Sequence, residues 1–225
     1  MKNKRLFISL VFNFCIFAIV LAVSIILLKK SPSSIKYFTT QSNILSGITS
    51  IVMLIFEILY LVKKTNKIPK WVSIFKMIST VGVVLTFMVV AFYLNFVAVS
   101  QGYSYFRLYQ GTDFFFHFLV PVLAAISFMF FEGRKDIKFR YTFVNLIHLL
   151  GYVIFYAINV LTHLQNGKAI RKYDWYYFAT GDIWLMFPVG LLILLLGYGF
   201  GFGLWIINKK FAKVDNYDLW YVYFR

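Results

Sequence analysis

The segment FTTQSNILSGITSIVMLIFEILYLV, residues 38–62, decides the fold class of this chain. Its 25 residues include one carboxylate and no lysine or arginine, and a helix of about 20 residues is enough to cross the hydrocarbon core of a bilayer. Its apolar residues follow one another without the alternation that is typical of strands in a membrane barrel. We therefore expect residues 38–62 to form a transmembrane helix.

Five other segments share this length and apolar character, so the sequence predicts six transmembrane helices. The predicted spans are residues 6–28, 38–62, 74–99, 114–131, 141–161 and 184–207. Of the 225 residues, 61% are hydrophobic and 14% are charged, whereas soluble domains average about 45–50% and 25%. A soluble domain could not bury that much apolar surface in one core. The prediction is an all-α polytopic membrane protein, with residues 1–225 as a single six-helix transmembrane domain.

The distribution of lysine and arginine predicts the orientation of the bundle. The two termini, the second loop and the fourth loop together carry 16 of these residues, with Lys76 counted in the second loop, and the other three loops carry seven. The richer side of a membrane protein faces the cytoplasm, so both termini are predicted to be cytoplasmic. The net charge of +15 then belongs to loops that face anionic lipid, and we expect no binding to nucleic acid.

Polar residues of the second span fall on one face. At 100° per residue they lie within about 60° of one another, and they are Thr39, Asn43, Ser46, Ser50 and Glu57. Thr40 and Gln41 lie off this stripe. Glu57 comes shortly before the loop lysines, and we expect its carboxylate to reach the inner membrane interface.

Two further spans carry polar stripes. The fifth span places Asn145, His148, Tyr152, Tyr156, Asn159 and His163 on one face, and the fourth places Asp113, His117, Pro121 and Ala124 on another. Polar side chains in a membrane normally face the interior of the bundle. The three stripes are therefore expected either to line a common site or to join the helices through hydrogen bonds.

Thr39 and His117 form a candidate catalytic pair. They lie in the first turns of two spans that run in the same direction, so both are expected near the outer leaflet. A hydroxyl and an imidazole at one height can act as nucleophile and general base. Pro121 should bend the fourth helix, since it cannot donate a hydrogen bond to the carbonyl of His117. Asp113 is placed to orient the imidazole ring.

Further polar residues are expected to support this pair. Backbone N–H groups at the start of the second helix could stabilise a developing oxyanion. The remaining residues predicted to line the pocket are Asn43, Ser46, Asn159 and His163. His163 is also the alternative candidate for the base, although it lies at a helix end, where a capping role costs less.

Two motifs at these positions resemble a known family. The residues Phe38-Thr39-Thr40-Gln41-Ser42-Asn43 resemble the Phe-Thr-x-Gln-Ser-Asn signature of bacterial membrane proteins related to the androgen-induced-gene hydrolases. The residues His117-Phe118-Leu119-Val120-Pro121 resemble the family's His-x-x-x-Pro element. The resemblance implies a multi-pass threonine hydrolase that cleaves fatty acid esters of hydroxy fatty acids. It also implies Thr39 as the nucleophile and His117 as the base.

Two other functions remain open at this point. The same stripes could serve a small-molecule carrier or its membrane-embedded binding subunit, and glycine spacings in the last span would equally suit a non-catalytic partner protein. With three His and one Cys, we expect no metal site and no cofactor. The expected partner is a membrane lipid or acyl-chain substrate, and the oligomeric state is left open. Richness in Phe, Ile, Lys, Asn and Tyr is typical of an AT-rich genome and favours a bacterial plasma membrane.

Overall fold

The computed structural model describes residues 2–179 and 182–212. This part of the chain contains no β-strand and has six helices that are long and apolar enough to cross a membrane. They are α1 (Lys2–Lys30), α2 (Phe38–Leu61), α3 (Lys70–Ser100), α4 (Thr112–Phe131), α5 (Phe139–Thr162) and α6 (Ile183–Ala212). The prediction of an all-α six-helix bundle is confirmed, and the chain is a multi-pass membrane protein.

The helix bounds differ most from the predicted spans at three places. Helix α1 begins at Lys2, helix α3 begins at Lys70 and helix α6 continues to Ala212. Lys76 therefore lies in the second turn of α3, and it is completely buried. Its assignment to the second loop was wrong, because Lys76 lies inside the predicted span 74–99 and in a helix that begins six residues before it. Lys213 and Arg225, which were counted on the same side, lie outside the described residues.

Helix α3 occupies the centre of the bundle. It contacts α2, α4, α5 and α6, whereas α1 packs on α2 and α4, and α5 packs on α6. One apolar cluster joins Ile16 of α1 to Val83 of α3 and Phe116 of α4. The outer faces carry large exposed apolar side chains such as Phe92 and Ile147, which is the surface that lipid contact requires.

Glycines let α6 approach α5 closely. A Cβ at Gly197 would clash with Leu149 Cδ2, and one at Gly201 would clash with Asn145 Nδ2, so a side chain at either position would force its neighbour to move. Gly199 and Gly203 have open space around them. Of the two glycine pairs in the last span, one therefore packs inside the fold, as small residues do at helix contacts in membranes.

Two helices contain π-helical turns. Residues Val90–Leu94 of α3, and Phe115–Leu119 and Ser127–Phe131 of α4, form π-helical turns. Such turns are uncommon and occur frequently at functional sites. The first π turn of α4 contains His117.

The orientation of the bundle is testable by cysteine labelling. In a Cys15→Ser background, we expect an impermeant maleimide added to intact cells to label Gln110→Cys and not Lys138→Cys, because the loop before α4 is predicted to face outward. Both positions are exposed, so both should react once the cells are permeabilised. Labelling of Lys138→Cys alone in intact cells would reverse the predicted topology.

Candidate functional site

The polar stripe of α2 faces the interior of the bundle, as predicted. Asn43, Ser46, Ser50 and Glu57 are buried, and Thr39 is half-buried. Residues beside the predicted stripe are buried as well, namely Thr40, Ser42 and Thr49. The polar face is broader than predicted because α2 packs between α1 and α3.

A loop covers the amino end of α2. Within this loop, residues 173–179 are called here the aromatic segment, since five of the seven are Tyr, Trp or Phe. The Tyr176 hydroxyl accepts a hydrogen bond from the Phe38 N–H at 2.9 Å. One of the backbone N–H groups expected to face an oxyanion is therefore already paired. The Tyr152 hydroxyl donates to the Lys36 carbonyl at 2.9 Å, which fixes α5 to the same end.

Asp174 organises the aromatic segment from inside. Its carboxylate is 2% exposed and accepts hydrogen bonds from the N–H groups of Phe178 at 3.0 Å and Ala179 at 3.1 Å. The Tyr156 hydroxyl of α5 also donates to it. Aspartates are mostly exposed in proteins, whereas this loop aspartate is buried. Nothing in the local sequence indicates that three donors converge on it.

Thr39 lines a cavity beneath the aromatic segment. This Thr39 cavity has a volume of about 250 Å³, close to the lower end of the roughly 300–1,000 Å³ of small-molecule sites. Its walls come from α3, α5 and α6 and are mostly apolar, with Leu85, Val89, Leu149, Met186 and Leu194 among them. Four further hydroxyl-bearing side chains reach it, those of Thr86, Tyr152, Tyr156 and Tyr176. The cavity suits an apolar chain that carries a polar group near its Thr39 end.

Tyr176 is a neutral phenol in this setting. Burial raises the pKa of its hydroxyl well above the ordinary value, and the N–H groups of Phe38 and Thr39 only partly offset that effect. The phenol therefore keeps its proton at neutral pH. Its side chain lines the same cavity as Thr39.

A backbone carbonyl orients the His117 ring. Nδ1 of this half-buried side chain lies 2.6 Å from the Leu108 carbonyl oxygen. A carbonyl can only accept, so Nδ1 carries the proton, and Nε2 of the neutral ring holds the lone pair. Asp113 was predicted to orient the ring, and the structure assigns that role to Leu108 instead. Asp113 is half-buried in the turn before.

Pro121 acts on α4 through the π turn rather than through a simple bend. In this turn the Val120 N–H bonds to the Phe115 carbonyl, five residues back. With hydrogen bonds that reach five residues back, the carbonyl that Pro121 leaves without a backbone donor is that of Phe116. The prediction, which assumed bonds four residues back, had named the carbonyl of His117. The Phe116 carbonyl accepts instead from Asn43 Nδ2 at 3.2 Å. The missing donor of buried Pro121 is therefore replaced by a side chain of α2.

Asn43 connects the two turns that carry the predicted pair. Its Nδ2 also donates to the Thr39 carbonyl at 2.8 Å, so one amide group bonds to Thr39 and to the residue before His117. Its Oδ1 is buried without a hydrogen-bond partner, as is the Ser46 hydroxyl one turn further along α2. Buried polar atoms are normally hydrogen-bonded. These two atoms are exceptions, and neither residue lines the Thr39 cavity.

Asn159 and His163 lie in a different contact. Asn159 Nδ2 donates to the Tyr173 carbonyl at 3.0 Å. His163 is exposed at the end of α5, where its ring stacks on Tyr173 at 3.7 Å and its Nδ1 lies 2.8 Å from the Asn159 carbonyl. Neither residue is among those that line the Thr39 cavity. Both contact Tyr173 at the start of the aromatic segment. Of the residues predicted to form the pocket, Thr39 lines this cavity, and the others do not, namely Asn43, Ser46, Asp113, His117, Pro121, Asn159 and His163.

Sequence reasoning missed a buried charged cluster at the opposite end of α2. Glu57 is 1% exposed, so the expectation that it reaches the membrane interface was wrong. Its carboxylate accepts from the Ser9 hydroxyl and, at 3.4 Å, from Asn13 Nδ2. Lys76 Nζ donates to Asn13 Oδ1 at 2.7 Å and to the Ser50 hydroxyl at 2.5 Å.

Glu132 completes this cluster from the end of α4. Its Oε1 accepts from Asn13 Nδ2 at 3.1 Å and from the Ser127 hydroxyl at 2.6 Å, and it lies 4.0 Å from Lys76 Nζ. The Lys76 and Glu132 side chains have no exposed surface. The sequence offered one signal for this cluster, which is the position of Lys76 in a transmembrane helix. A charge at that depth requires a partner.

Comparison of the chain with protein-family models, with curated proteins and with solved structures finds no match. Among the residues that the structure describes, no group of three or more His, Cys, Asp or Glu side chains could hold a metal ion. Function is therefore argued from the geometry of the two sites.

Proposed function

We propose that the protein is a membrane-embedded hydrolase of lipid esters, with Thr39 as nucleophile and His117 as general base. The observation that carries this proposal is the position of Thr39, whose half-buried side chain lines an otherwise mostly apolar cavity of about 250 Å³. A nucleophile beside such a cavity meets the carbonyl of an acyl chain that enters it. The proposed substrates are fatty acid esters of hydroxy fatty acids.

The His117 ring supports the assignment of the base. Because Nδ1 donates to the Leu108 carbonyl, Nε2 is the atom that would take the proton from the Thr39 hydroxyl. The bridge from Asn43 to the Thr39 and Phe116 carbonyls would hold the two turns in register. Catalytic contacts are often long in structures without substrate and tighten when it binds.

The proposed reaction has two steps. Thr39 Oγ1 forms a bond to the ester carbonyl carbon while Nε2 takes its proton, and the neutral Tyr176 hydroxyl would donate to the oxyanion. The bond to the alkoxy oxygen then breaks, and the alcohol leaves with the proton from Nε2. Water, deprotonated by the same nitrogen, then attacks the carbonyl carbon of the acyl–Thr39 ester. The bond from that carbon to Thr39 Oγ1 breaks, Oγ1 takes the proton back from Nε2, and the fatty acid is released.

A fluorophosphonate probe tests the nucleophile. We expect the folded wild-type protein to form a covalent adduct and Thr39→Ala to form none, because the probe reacts only with an activated hydroxyl. Thr40→Ala is the matched control, since the neighbouring Thr40 is 4% exposed and should leave labelling intact. Labelling that is lost in Thr40→Ala and kept in Thr39→Ala would contradict the assignment.

A carrier is the second candidate function, because the cluster of Glu57, Lys76 and Glu132 places three ionisable groups inside the bundle. Such groups are typical of transport pathways. If wild type takes no serine- or threonine-directed probe while moving a solute across proteoliposomes, the carrier interpretation replaces the hydrolase.

A further inference from the structure

A second cavity opens at the end of the bundle that holds the charged cluster. It has a volume of about 280 Å³ and is called here the carboxylate cavity. Glu57, Ser73 and Glu132 form its buried floor, while Lys67 and Asp136 lie at its exposed mouth. Glu57 is 18 residues beyond Thr39 on α2, about 27 Å along the helix axis. The carboxylate cavity is thus separate from the proposed hydrolytic site.

The floor of this cavity has buried oxygen atoms without a hydrogen-bond partner among the residues that the structure describes. Glu132 Oε2 is buried and has no hydrogen-bond partner, although Oε1 of the same carboxylate accepts two. The Ser73 hydroxyl is also buried and unpartnered. A buried carboxylate oxygen without a donor is strongly unfavourable. Both atoms belong to residues that line the cavity, so a ligand there could bond to them.

The unpaired oxygen indicates what that ligand carries. Asn13 Nδ2 already bonds to both carboxylates, and Lys76 Nζ lies 4.0 Å from Glu132 Oε1 rather than against Oε2. Among the described residues, Glu132 Oε2 therefore lacks a hydrogen-bond donor. A primary ammonium group offers three N–H donors and a charge opposite to that of a carboxylate, whereas a quaternary ammonium supplies charge without a donor.

The mouth of the cavity indicates the rest of the ligand. Lys67 and Arg134 lie there together with Asp136, and Arg134 is engaged with the Asp136 carboxylate at 2.8 Å. Lys67 remains exposed and suits an anionic group. We propose that the carboxylate cavity binds a zwitterion, with a primary ammonium at Glu132 and Ser73 and a phosphate at Lys67. Phosphoethanolamine, free or as a phospholipid headgroup, has this chemistry.

Thermal unfolding of the purified full-length protein in detergent tests the proposal. We expect phosphoethanolamine at 100 times its dissociation constant to shift the unfolding equilibrium about 100-fold toward the folded state. Phosphocholine, which differs only by three N-methyl groups, should stabilise far less. The proposal would be overturned if both compounds stabilised the protein equally. It would also be overturned if neither compound stabilised it in detergent and neither lipid did so in the nanodiscs described next.

Nanodiscs distinguish the two sources of the ligand. Stabilisation in phosphatidylethanolamine relative to phosphatidylcholine, without a response to the soluble compound, identifies the lipid headgroup. A response to the soluble compound identifies the free molecule, and both outcomes support the site.

Three variants locate the site. Glu132→Gln should abolish the difference between the two compounds, and Ser73→Ala should reduce it. Lys67→Met keeps the buried cluster intact and should weaken the binding of phosphoethanolamine, so the test stands even if Glu132→Gln does not fold. If phosphoethanolamine stabilises all three variants as much as it stabilises wild type, it binds elsewhere on the protein.

Discussion

Replacement of His117 by alanine is expected to lower the rate of ester hydrolysis by about 10²–10⁴-fold, the usual contribution of a general base. The reason is the state of the ring, whose Nδ1 donates to the Leu108 carbonyl at 2.6 Å and whose Nε2 would accept the proton of Thr39. The loss should fall on kcat, with KM nearly unchanged, because the ring does not line the Thr39 cavity that would hold the acyl chain.

His163→Ala is the matched control for this prediction. His163 is exposed and stacks on Tyr173 at 3.7 Å, so its removal should change the rate less than about threefold, as a surface substitution does. The measurement is hydrolysis of a lipid ester by purified protein of unchanged melting temperature. Loss of activity in His163→Ala with full activity in His117→Ala would transfer the base to the other histidine.

The fold could be predicted from the sequence because membrane solvation imposes a simple rule on each span. Helix α2 begins at Phe38 as predicted, and it ends at Leu61, one residue before the predicted end. The burial of Asn43, Ser46 and Ser50 follows from the same rule, since polar groups avoid lipid. Periodicity along one helix is enough to find such a face.

The detailed site could not be predicted, because it depends on contacts between distant segments. The partner of His117 is a backbone carbonyl at Leu108, and no residue type identifies such a carbonyl in a sequence. The π turn before Pro121 shifts the unpaired carbonyl by one residue, from His117 to Phe116. The covering of Thr39 by the aromatic segment depends on Asp174, whose burial at 2% exposure requires donors from α5 and from its own loop.

The charged cluster shows where composition misleads. Lysines near the end of a span are normally counted as loop charges, and Lys76 fits that description by position. Its side chain instead lies among Asn13, Ser50 and Glu132. The helix that contains it begins six residues earlier, at Lys70.

Lys76→Met is expected to lower the free energy of unfolding by about 3–5 kcal/mol, the usual effect of removing one partner of a buried ion pair. The variant removes the Lys76 charge beside the buried Glu57 and Glu132. It also leaves Asn13 Oδ1 and the Ser50 hydroxyl without the donor that each has at 2.7 and 2.5 Å. Unfolding of the purified protein by increasing mole fractions of dodecyl sulfate measures the change. Lys64→Met is the control, because Lys64 is exposed and such a surface change should stay within about 0.5 kcal/mol.

The double variant Lys76→Met/Glu132→Gln separates charge from packing in this effect. If the loss arises from uncompensated negative charge, removal of one carboxylate charge should restore part of the stability. The two substitutions should then be non-additive by about 0.5–3 kcal/mol, as is typical of residues in one buried network. The lysine would contribute through its methylene groups and not through its charge in either of two cases. The losses of unfolding free energy could be additive, or Lys76→Met alone could lose less than about 1 kcal/mol. Non-additivity would instead show that Lys76 stabilises the bundle through its charge beside Glu132 at the floor of the carboxylate cavity.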